Sequence, residues 1–372
     1  MKLAFWGCVG LIGYAYLGYP LWLYLRSRWR PKSVRAARIT PTVSIVMTAY
    51  NEASALPEKL RNLVRLNYPE DRLEVIVVSD GSTDTTNQIL AAHASEHFRF
   101  LALSENEGKA SALNRGIEMA RGDIVVFTDA RQFIDCDAVL RLVANFADSS
   151  VGCVSGELIL VEPRRGGLRG EGLGLYWRIE KKIREWESAT SSVVGATGAL
   201  YAVRKELLVP LPAGTLLDDV YLPFHVARQG KRVVFEPRAR AFDALAPWQR
   251  EFRRKLRTLV GNYQLVQLAP WLLTRRNPVR FEFVSHKLLR LVVPFALATI
   301  FAGSVSLKGT FYGLAAVLQS VFYGLAGMAV FRPRLGMFSR VAEIALAFVV
   351  LNTAAALALV LFLKGKREIW VR

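Results

Sequence analysis

VSIVMTAYNE, residues 43–52, is an apolar run that ends in polar residues, and LEVIVVSDGSTD, residues 73–84, repeats the pattern. Short apolar runs rich in valine and isoleucine predict buried strands, here over Val43–Thr48 and Leu73–Ser79. Helical spacing extends from Ala53 to Leu66 between them. A strand, a helix and a second strand in this order predict a parallel βαβ unit.

The same alternation continues along the chain. Thr85–Ala94 and Lys109–Ala120 have helical patterns, whereas Phe98–Leu103 and Asp123–Thr128 are predicted strands. Short apolar strands joined by helices form sheets that are covered on both faces. We therefore predict an α/β fold with a mostly parallel sheet.

Three acidic residues follow predicted strands, namely Glu52, Asp80 and Asp129. Ligands of parallel sheets bind beyond the carboxyl ends of the strands. Each acid could instead cap the helix that follows it. Their shared placement favours a ligand site.

Both ends of the chain are strongly apolar. Leu3 to Leu25 carries no charge, and about 20 helical residues cross a bilayer. The apolar region of a cleaved signal peptide, the alternative, is usually shorter. We predict a transmembrane helix over residues 1–25, a basic linker over 26–41, and a soluble domain over 42–255.

Further apolar segments follow this domain. Residues 256–275 are apolar but interrupted by Asn262, Gln264 and Gln267, which predicts a helix lying on the membrane surface. Residues 288–363 contain about three stretches long enough to cross. A basic tail occupies residues 364–372. Within the spans, Gln319 and Asn352 either line a channel or pair with another helix.

The distribution of Lys and Arg predicts the orientation. Basic residues between Arg26 and Arg38 place the soluble domain in the cytoplasm. Three C-terminal crossings would carry the basic tail outward, against the same rule, unless one segment is re-entrant or tilted. Three full crossings, and two crossings with a re-entrant or tilted segment, are therefore the alternatives.

The formal net charge is +18, and many of the basic residues flank apolar segments. Anionic lipid headgroups are therefore the expected partners, and nucleic acid is not. Three scattered cysteines form neither a disulfide frame nor a zinc site. We predict an integral protein of a bacterial-type inner or plasma membrane.

Two motifs, TAYNE (residues 48–52) and VSDGSTD (78–84), resemble the nucleotide-binding opening of family 2 glycosyltransferases with a GT-A fold. The resemblance implies a nucleotide pocket lined by Thr48, Tyr50, Glu52 and Asp80. Asp80 would accept a hydrogen bond from the base, since a carboxylate is a strong acceptor for a uracil N–H.

The segment GKASALNRG, residues 108–116, resembles the family's next helix start. Lys109 would face the diphosphate there, because a helix N-terminus also attracts anions. The alternative is a solvated lysine on a helix surface.

FTDAR, residues 127–131, lies where the family has its Asp-x-Asp metal motif, with Arg131 in place of the second Asp. The resemblance implies that Asp129 binds Mg²⁺ or Mn²⁺ together with diphosphate oxygens. Losing one carboxylate weakens such a site. Arg131 either neutralises charge on the donor directly or points away.

Leu217-Asp218-Asp219-Val220 resembles the acidic motif that supplies the family's catalytic base. Inverting transfer needs a carboxylate beside the acceptor hydroxyl to take its proton. Position in the motif assigns Asp219 as the base and Asp218 as its neighbour.

Processive members of the family have Gln-x-x-Arg-Trp, whereas this chain has Arg254, Arg257 and Thr258 at those positions. Arg257 matches and is expected to hold the diphosphate, and Arg254 is a further candidate contact. The missing Trp removes a flat stacking surface for a sugar, which argues against long-chain polymer synthesis.

The resemblance covers roughly Thr42 to Gly261 and is greatest to the polysaccharide-synthase-like branch. It implies inverting transfer from a nucleotide sugar, with uridine expected, to a glycan or lipid-linked acceptor. Cell-envelope polysaccharide synthesis, with partner subunits of an export system, fits that activity. The donor sugar and processivity stay open.

Two other functions compete with this interpretation. A polyprenyl-phosphate sugar synthase would use the same domain for one transfer to a lipid phosphate. A catalytically silent nucleotide-sugar-binding subunit would explain the altered motifs. A dinucleotide-dependent oxidoreductase is disfavoured, because no Gly-x-Gly-x-x-Gly opens the first helix of the domain.

Overall fold

The computed structural model describes residues 1–161, 171–244, 248–330 and 339–365, and within them the side chains of 171–176, 248, 339 and 340 are left out. The predicted basic tail lies outside the described residues from position 366 onward.

The helices are α1 (Lys2–Trp29), α2 (Leu56–Val64), α3 (Thr86–Ala92), α4 (Lys109–Met119), α5 (Ala138–Val143), α6 (Glu171–Thr190), α7 (Asp218–Arg228), α8 (Trp248–Leu268), α9 (Arg280–Ser306), α10 (Thr310–Val330) and α11 (Ser339–Leu363). The strands are β1 (Val43–Ala49), β2 (Leu73–Ser79), β3 (Phe98–Ala102), β4 (Ile124–Thr128), β5 (Phe133–Ile134), β6 (Val151–Val161), β7 (Leu200–Arg204) and β8 (Arg232–Ala244). Short 3₁₀ turns occupy Glu70–Arg72, Ala144–Ala147, Lys205–Leu207 and Pro270–Leu273.

The strands of the described residues form one sheet in the order β3-β2-β1-β4-β7-β6-β8-β5. The pairs β3–β2, β2–β1 and β1–β4 are parallel, as predicted. β7 runs antiparallel to both of its neighbours, and β5 runs antiparallel to β8. The chain therefore has an α/β fold with a mixed sheet. The four strands β3, β2, β1 and β4 form its wholly parallel half.

Strand β1 is buried on both faces of the sheet. Ile45 and Met47 pack in the core beneath α2 and α5, whereas Val46 packs in the core beneath α4 and α7. Glycine at position 116 lets α4 approach closely, because a Cβ there would lie 2.5 Å from a methyl carbon of Val46. This packing brings the first residue of α4, Lys109, to the edge where β1, β2 and β4 end.

Three helices have bounds that differ from the sequence-based expectations. The helix expected over 256–275 begins at Trp248 and ends at Leu268, because its arginine-rich first turns are good helix formers. The first C-terminal span begins at Arg280 rather than at residue 288. The residues at 26–41 also include the last turn of α1, which ends at Trp29.

Four helices in the described part of the chain are long and apolar enough to span a membrane: α1, α9, α10 and residues Val341–Leu363 of α11. Gln319 of α10 donates to the carbonyl of Leu297 in α9 at 3.0 Å, which is the helix pairing left open above. Asn352 instead donates to Phe348 of its own helix at 2.9 Å.

Buried hydrogen bonds join the sheet domain to two of these helices. His286 of α9 contacts Glu187 through Nδ1 and Glu180 through Nε2, both at 2.7 Å, and both carboxylates belong to α6. Tyr19 of α1 donates to the same Glu187 at 2.7 Å. Because unpaired buried charges are costly, these contacts fix α6 against the apolar helices.

Candidate active site

The loops that follow β1 and β2 are tied together by one residue. Asn51 has a φ of 53°, in the left-handed region that asparagine tolerates. Its side-chain oxygen accepts the backbone N–H of Thr83 at 2.8 Å. Tyr50, 38% exposed, and the partly buried Thr48 therefore lie at the same edge of the sheet as the loop that holds Asp80.

Asp80 is buried at the end of β2, and both of its carboxylate oxygens accept backbone N–H groups. The donors are Glu107 at 2.8 Å and Gly108 at 3.0 Å. Burial raises the pKa of Asp80, although these two amides oppose the rise. Asp80 thus holds the start of α4 in place, a structural contribution that its position in the motif did not reveal.

Lys109 lies between two of the predicted acids. Its Nζ is 3.0 Å from Oδ1 of Asp129 and 3.4 Å from Oδ1 of Asp218. Burial opposes the charge, but the carboxylates of Asp129, Asp218 and Asp219 hold the pKa of Lys109 above its usual value. The structure therefore brings together the residues of three separate motifs around one ammonium group.

Arg131 is paired with Glu52. Its Nε donates to the two carboxylate oxygens of Glu52 at 2.8 and 2.9 Å. This hydrogen bond raises the pKa of Arg131, so the group stays a cation. Glu52, assigned to the nucleotide pocket by resemblance, is thus already paired with the residue that replaces the second Asp.

The described residues include no group of three or more His, Cys, Asp or Glu side chains placed to hold a metal ion. Asp129 is partly exposed, with a side-chain accessibility of 38%, and offers a hard carboxylate oxygen. Mg²⁺ is commonly held by one or two carboxylates together with phosphate oxygens and water. The residues therefore fit an ion shared with a diphosphate and do not fit a site made by protein alone.

Asp219, the second residue of α7, lies beside a glycine. Its Oδ2 accepts the backbone N–H of Gly198 at 2.9 Å. Burial and the adjacent Asp218 raise the pKa of Asp219 to about 6, against the attraction of Lys109. A carboxylate with a pKa near the working pH is suited to take a proton.

The two predicted arginines of α8 differ in placement. Arg257 donates to the Leu216 carbonyl at 3.4 Å, and its charge lowers the pKa of Lys109. Arg254 lies 3.1 Å from Glu251 and 3.5 Å from Asp243. Arg257 therefore belongs to the cluster around Lys109, whereas Arg254 is engaged by other carboxylates.

Two residues near the site were missed by the sequence analysis, and the first is Lys59. Lys59 of α2 is 1% exposed, and its Nζ donates to Thr128 Oγ1 at 2.9 Å and to the Gln132 carbonyl at 2.6 Å. It supports both sides of the loop that carries Asp129 and Arg131. A lysine next to Leu60 on the apolar face of α2 was the available signal.

Arg184 of α6 is a second missed residue. Its guanidinium donates to Thr197 Oγ1 at 2.6 Å and to Ser155 Oγ at 2.7 Å. Thr197 directly precedes Gly198, so Arg184 lies one residue from the contact that holds Asp219. No motif marks it, because its partners are distant in sequence.

Comparison with known proteins identifies a family domain within the chain. Residues 44–209 match the model of the family described as glycosyl transferase family 2. The matched segment contains β1 to β7 and the residues Lys109, Asp129 and Arg131. The chain is a glycosyltransferase with a family 2 domain.

Relatives of this glycosyltransferase include the "Probable glycosyltransferase YdaM" of Bacillus subtilis (strain 168), 26% identical over 301 residues, which are 76% of this chain and 70% of that protein. The poly-beta-1,6-N-acetyl-D-glucosamine synthase of Staphylococcus aureus (strain COL) is 28% identical over 209 residues, which are 53% of this chain. The match covers 48% of that synthase, so the chain aligns with about half of its length.

A solved structure resembles the glycosyltransferase over nearly its whole length. It is a mannosyltransferase from Pyrobaculum calidifontis in complex with GDP-Man and Mn²⁺. The TM-score is 0.72 at 25% identity, and the match covers 98% of this chain and 99% of that one. The expected GT-A fold with apolar helices at both ends is thereby confirmed.

Proposed function

We propose that this glycosyltransferase is an integral membrane enzyme that transfers a sugar, with inversion, from a uridine-linked donor to a glycan or lipid-linked acceptor. The observation that carries the proposal is the position of Asp219, which accepts the Gly198 amide and lies in the same charge cluster as Lys109 and Asp129. A base and a diphosphate-binding pair within one site are what a direct displacement requires.

The proposed reaction forms one bond as another breaks. The acceptor oxygen attacks the anomeric carbon of the donor, and the bond from that carbon to the diphosphate breaks with its electron pair. Asp219 takes the proton of the acceptor hydroxyl. Asp218, buried and 3.4 Å from Lys109, raises the pKa of Asp219 and so makes it a stronger base.

The leaving diphosphate gains negative charge, and preorganised cations stabilise such charge. We assign this function to Lys109 and Arg257. A divalent ion, Mg²⁺ or Mn²⁺, held by Asp129 and the diphosphate would add to the same stabilisation. Glu52 and Arg131 form the rim of the proposed donor site next to Asp129. Tyr50 and Asp80 form the part of that site that binds the nucleotide.

Four apolar helices and the basic residues after α1 support an integral membrane enzyme whose catalytic domain is cytoplasmic. The similarity to a poly-beta-1,6-N-acetyl-D-glucosamine synthase supports a function in polysaccharide synthesis of the cell envelope.

Purified full-length protein in detergent tests the proposal. It is offered uridine- and guanosine-linked sugars, with Mn²⁺, with Mg²⁺ or with chelator, and release of nucleoside diphosphate is measured. We expect metal-stimulated release from one uridine-linked sugar. Release from a guanosine-linked sugar alone would contradict the uridine assignment, and tight binding without release from any donor would contradict the enzymatic proposal.

A further inference from the structure

A cleft of about 380 Å³ lies between the second half of β6 and α6. Its walls include Leu158, Leu160, Trp177 and Phe235. The volume is in the range of ligand-binding pockets. None of the residues assigned to the donor site lines it.

One end of the cleft lies next to the loop that holds the proposed base. Arg184 lines the cleft and stacks on Phe235, with its guanidinium carbon 4.8 Å from the ring centroid. The same guanidinium donates to Thr197, the neighbour of the Gly198 amide that binds Asp219. The Arg184 end of the cleft therefore lies next to the loop that holds Asp219.

Cations line the rest of the cleft. Arg178 is exposed and has no ion-pair partner among the described residues, while Lys181 pairs with Glu157 at 2.6 Å. Lys255 is not a lining residue, but its ammonium lies 4.7 Å from the ring centroid of Trp177, which is one. An exposed guanidinium with an ammonium group one helical turn away is suited to bind a phosphate.

The carboxylate of Glu180 also lines the cleft, but its charge is offset. His286 and Arg290 each contact Glu180 at 2.7 Å. Both residues belong to the first turns of α9, which is one of the apolar helices. The same contacts therefore place the cleft beside the predicted membrane boundary, within reach of a lipid.

The two ends of the cleft lie at different positions along α6. Arg178 and Arg184 are six residues apart, which is about 9 Å along a helix axis. A lipid phosphate at Arg178 would lie too far from Asp219 to receive the sugar itself. At least one sugar unit fits between the two.

We propose that this cleft binds the acceptor, a saccharide joined to a lipid through phosphate. The hydroxyl that receives the donor sugar lies at the Arg184 end beside Asp219, and the phosphate lies at Arg178 and Lys181. This inference rests on the proposed function, because it assigns the second substrate of the same reaction.

Binding to the full-length protein in nanodiscs of neutral phosphatidylcholine tests the proposal without any donor. The probe is N-acetylglucosamine linked by diphosphate to a short prenyl chain. Two comparators are the sugar-free prenyl monophosphate and a neutral alkyl N-acetylglucosaminide. We expect the diphosphate-linked sugar to bind at least about tenfold more tightly than the neutral glycoside, since one charge-assisted contact is of that order.

Variants locate the binding site. Arg178→Ala and Lys181→Ala should each weaken binding of the probe about tenfold. Arg178→Lys should retain most of the affinity. Lys182→Ala is the matched control, because Lys182 pairs with Glu185 at 2.6 Å outside the cleft and its loss should leave the affinity unchanged.

Equal affinity for the neutral glycoside, or native affinity in both Arg178→Ala and Lys181→Ala, would overturn the proposal. Transfer of sugar to the prenyl monophosphate in preference to the diphosphate-linked sugar would overturn the assigned spacing. Release of nucleoside diphosphate from the donor is measured separately, so failure of the proposed function is distinguished from failure of the cleft assignment.

Discussion

Lys109 donates a hydrogen bond of 3.0 Å to Oδ1 of Asp129 across the opening of the sheet. This pair joins the start of α4 to the end of β4, two elements whose motifs are 20 residues apart. It also places a fixed positive charge where a diphosphate would lie. The effect of that charge on Asp219 leads to the first prediction.

Lys109→Gln should lower kcat/KM for transfer about tenfold or more, because a charge-assisted contact to the leaving group is lost. The substitution should also move the acid limb of the pH–rate profile to higher pH. Lys109 lowers the pKa of Asp219, so without it Asp219 stays protonated to a higher pH.

Lys109→Arg keeps the charge and is the matched control for this experiment. It should leave the acid limb near its native position, even if the longer side chain lowers the rate. An unchanged acid limb in Lys109→Gln would show that Lys109 and Asp219 are not coupled.

Arg131→Asp should strengthen binding of Mn²⁺ in the presence of nucleoside diphosphate. It restores the second carboxylate of the Asp-x-Asp motif, and hard cations prefer oxygen ligands. Electron paramagnetic resonance of Mn²⁺ measures this binding without turnover. Arg131→Ala controls for loss of the Glu52 pair, and equal affinity in the two variants would contradict a metal position beside Asp129.

Gly198→Ala should lower kcat without weakening donor affinity. A Cβ at this position would lie 3.1 Å from Oδ2 of Asp219, so the carboxylate must shift from its present hydrogen bond. Misplacement of a reacting group by about 1 Å can cost about a hundredfold in rate. Steady-state kinetics over a range of donor concentrations measures both quantities. A native kcat in Gly198→Ala would contradict a critical position of Asp219.

Lys59 predicts a pH dependence of stability. Burial lowers its pKa from the usual 10.5 to about 7, so between these pH values the unfolded chain binds more protons than the folded one. The free energy of unfolding should therefore rise with pH across this window. Below about pH 7 both states are protonated, and the contribution of Lys59 no longer changes with pH.

Thermal unfolding of the detergent-solubilised protein between pH 7 and pH 10 measures the effect of Lys59. Lys59→Met should flatten the rise of Tm with pH, whereas the exposed Lys182→Met should keep it. Equal slopes in the native protein and Lys59→Met would contradict the lowered pKa.

The parallel half of the sheet could be predicted from sequence because its strands are buried on both faces. Ile45, Val46 and Met47 are all buried, so the strand appears as a continuous apolar run. Because the carboxyl ends of parallel strands meet at one edge of the sheet, the acids that follow such runs lie at that edge. Glu52, Asp80 and Asp129 were selected in this way, whereas Lys109 and Asp219 were selected from the motif resemblance alone.

Contacts between distant residues could not be predicted. His286 and Glu180 are 106 positions apart, and only the docking of α9 against α6 brings them together. The antiparallel insertion of β7 between β4 and β6 likewise depends on packing rather than on local pattern. The start of α8 was missed because arginines continue a helix without adding to its apolar signal.

The most direct test of the account compares Asp219→Asn and Asp129→Asn with the native enzyme, measuring sugar transfer and donor affinity for each. We predict that Asp219→Asn loses about a hundredfold or more of its turnover with unchanged donor affinity, because only the base is removed. Asp129→Asn should lose both. The native rate should fall below about pH 6, where Asp219 becomes protonated. Normal turnover in Asp219→Asn would contradict the assignment of Asp219 as the catalytic base.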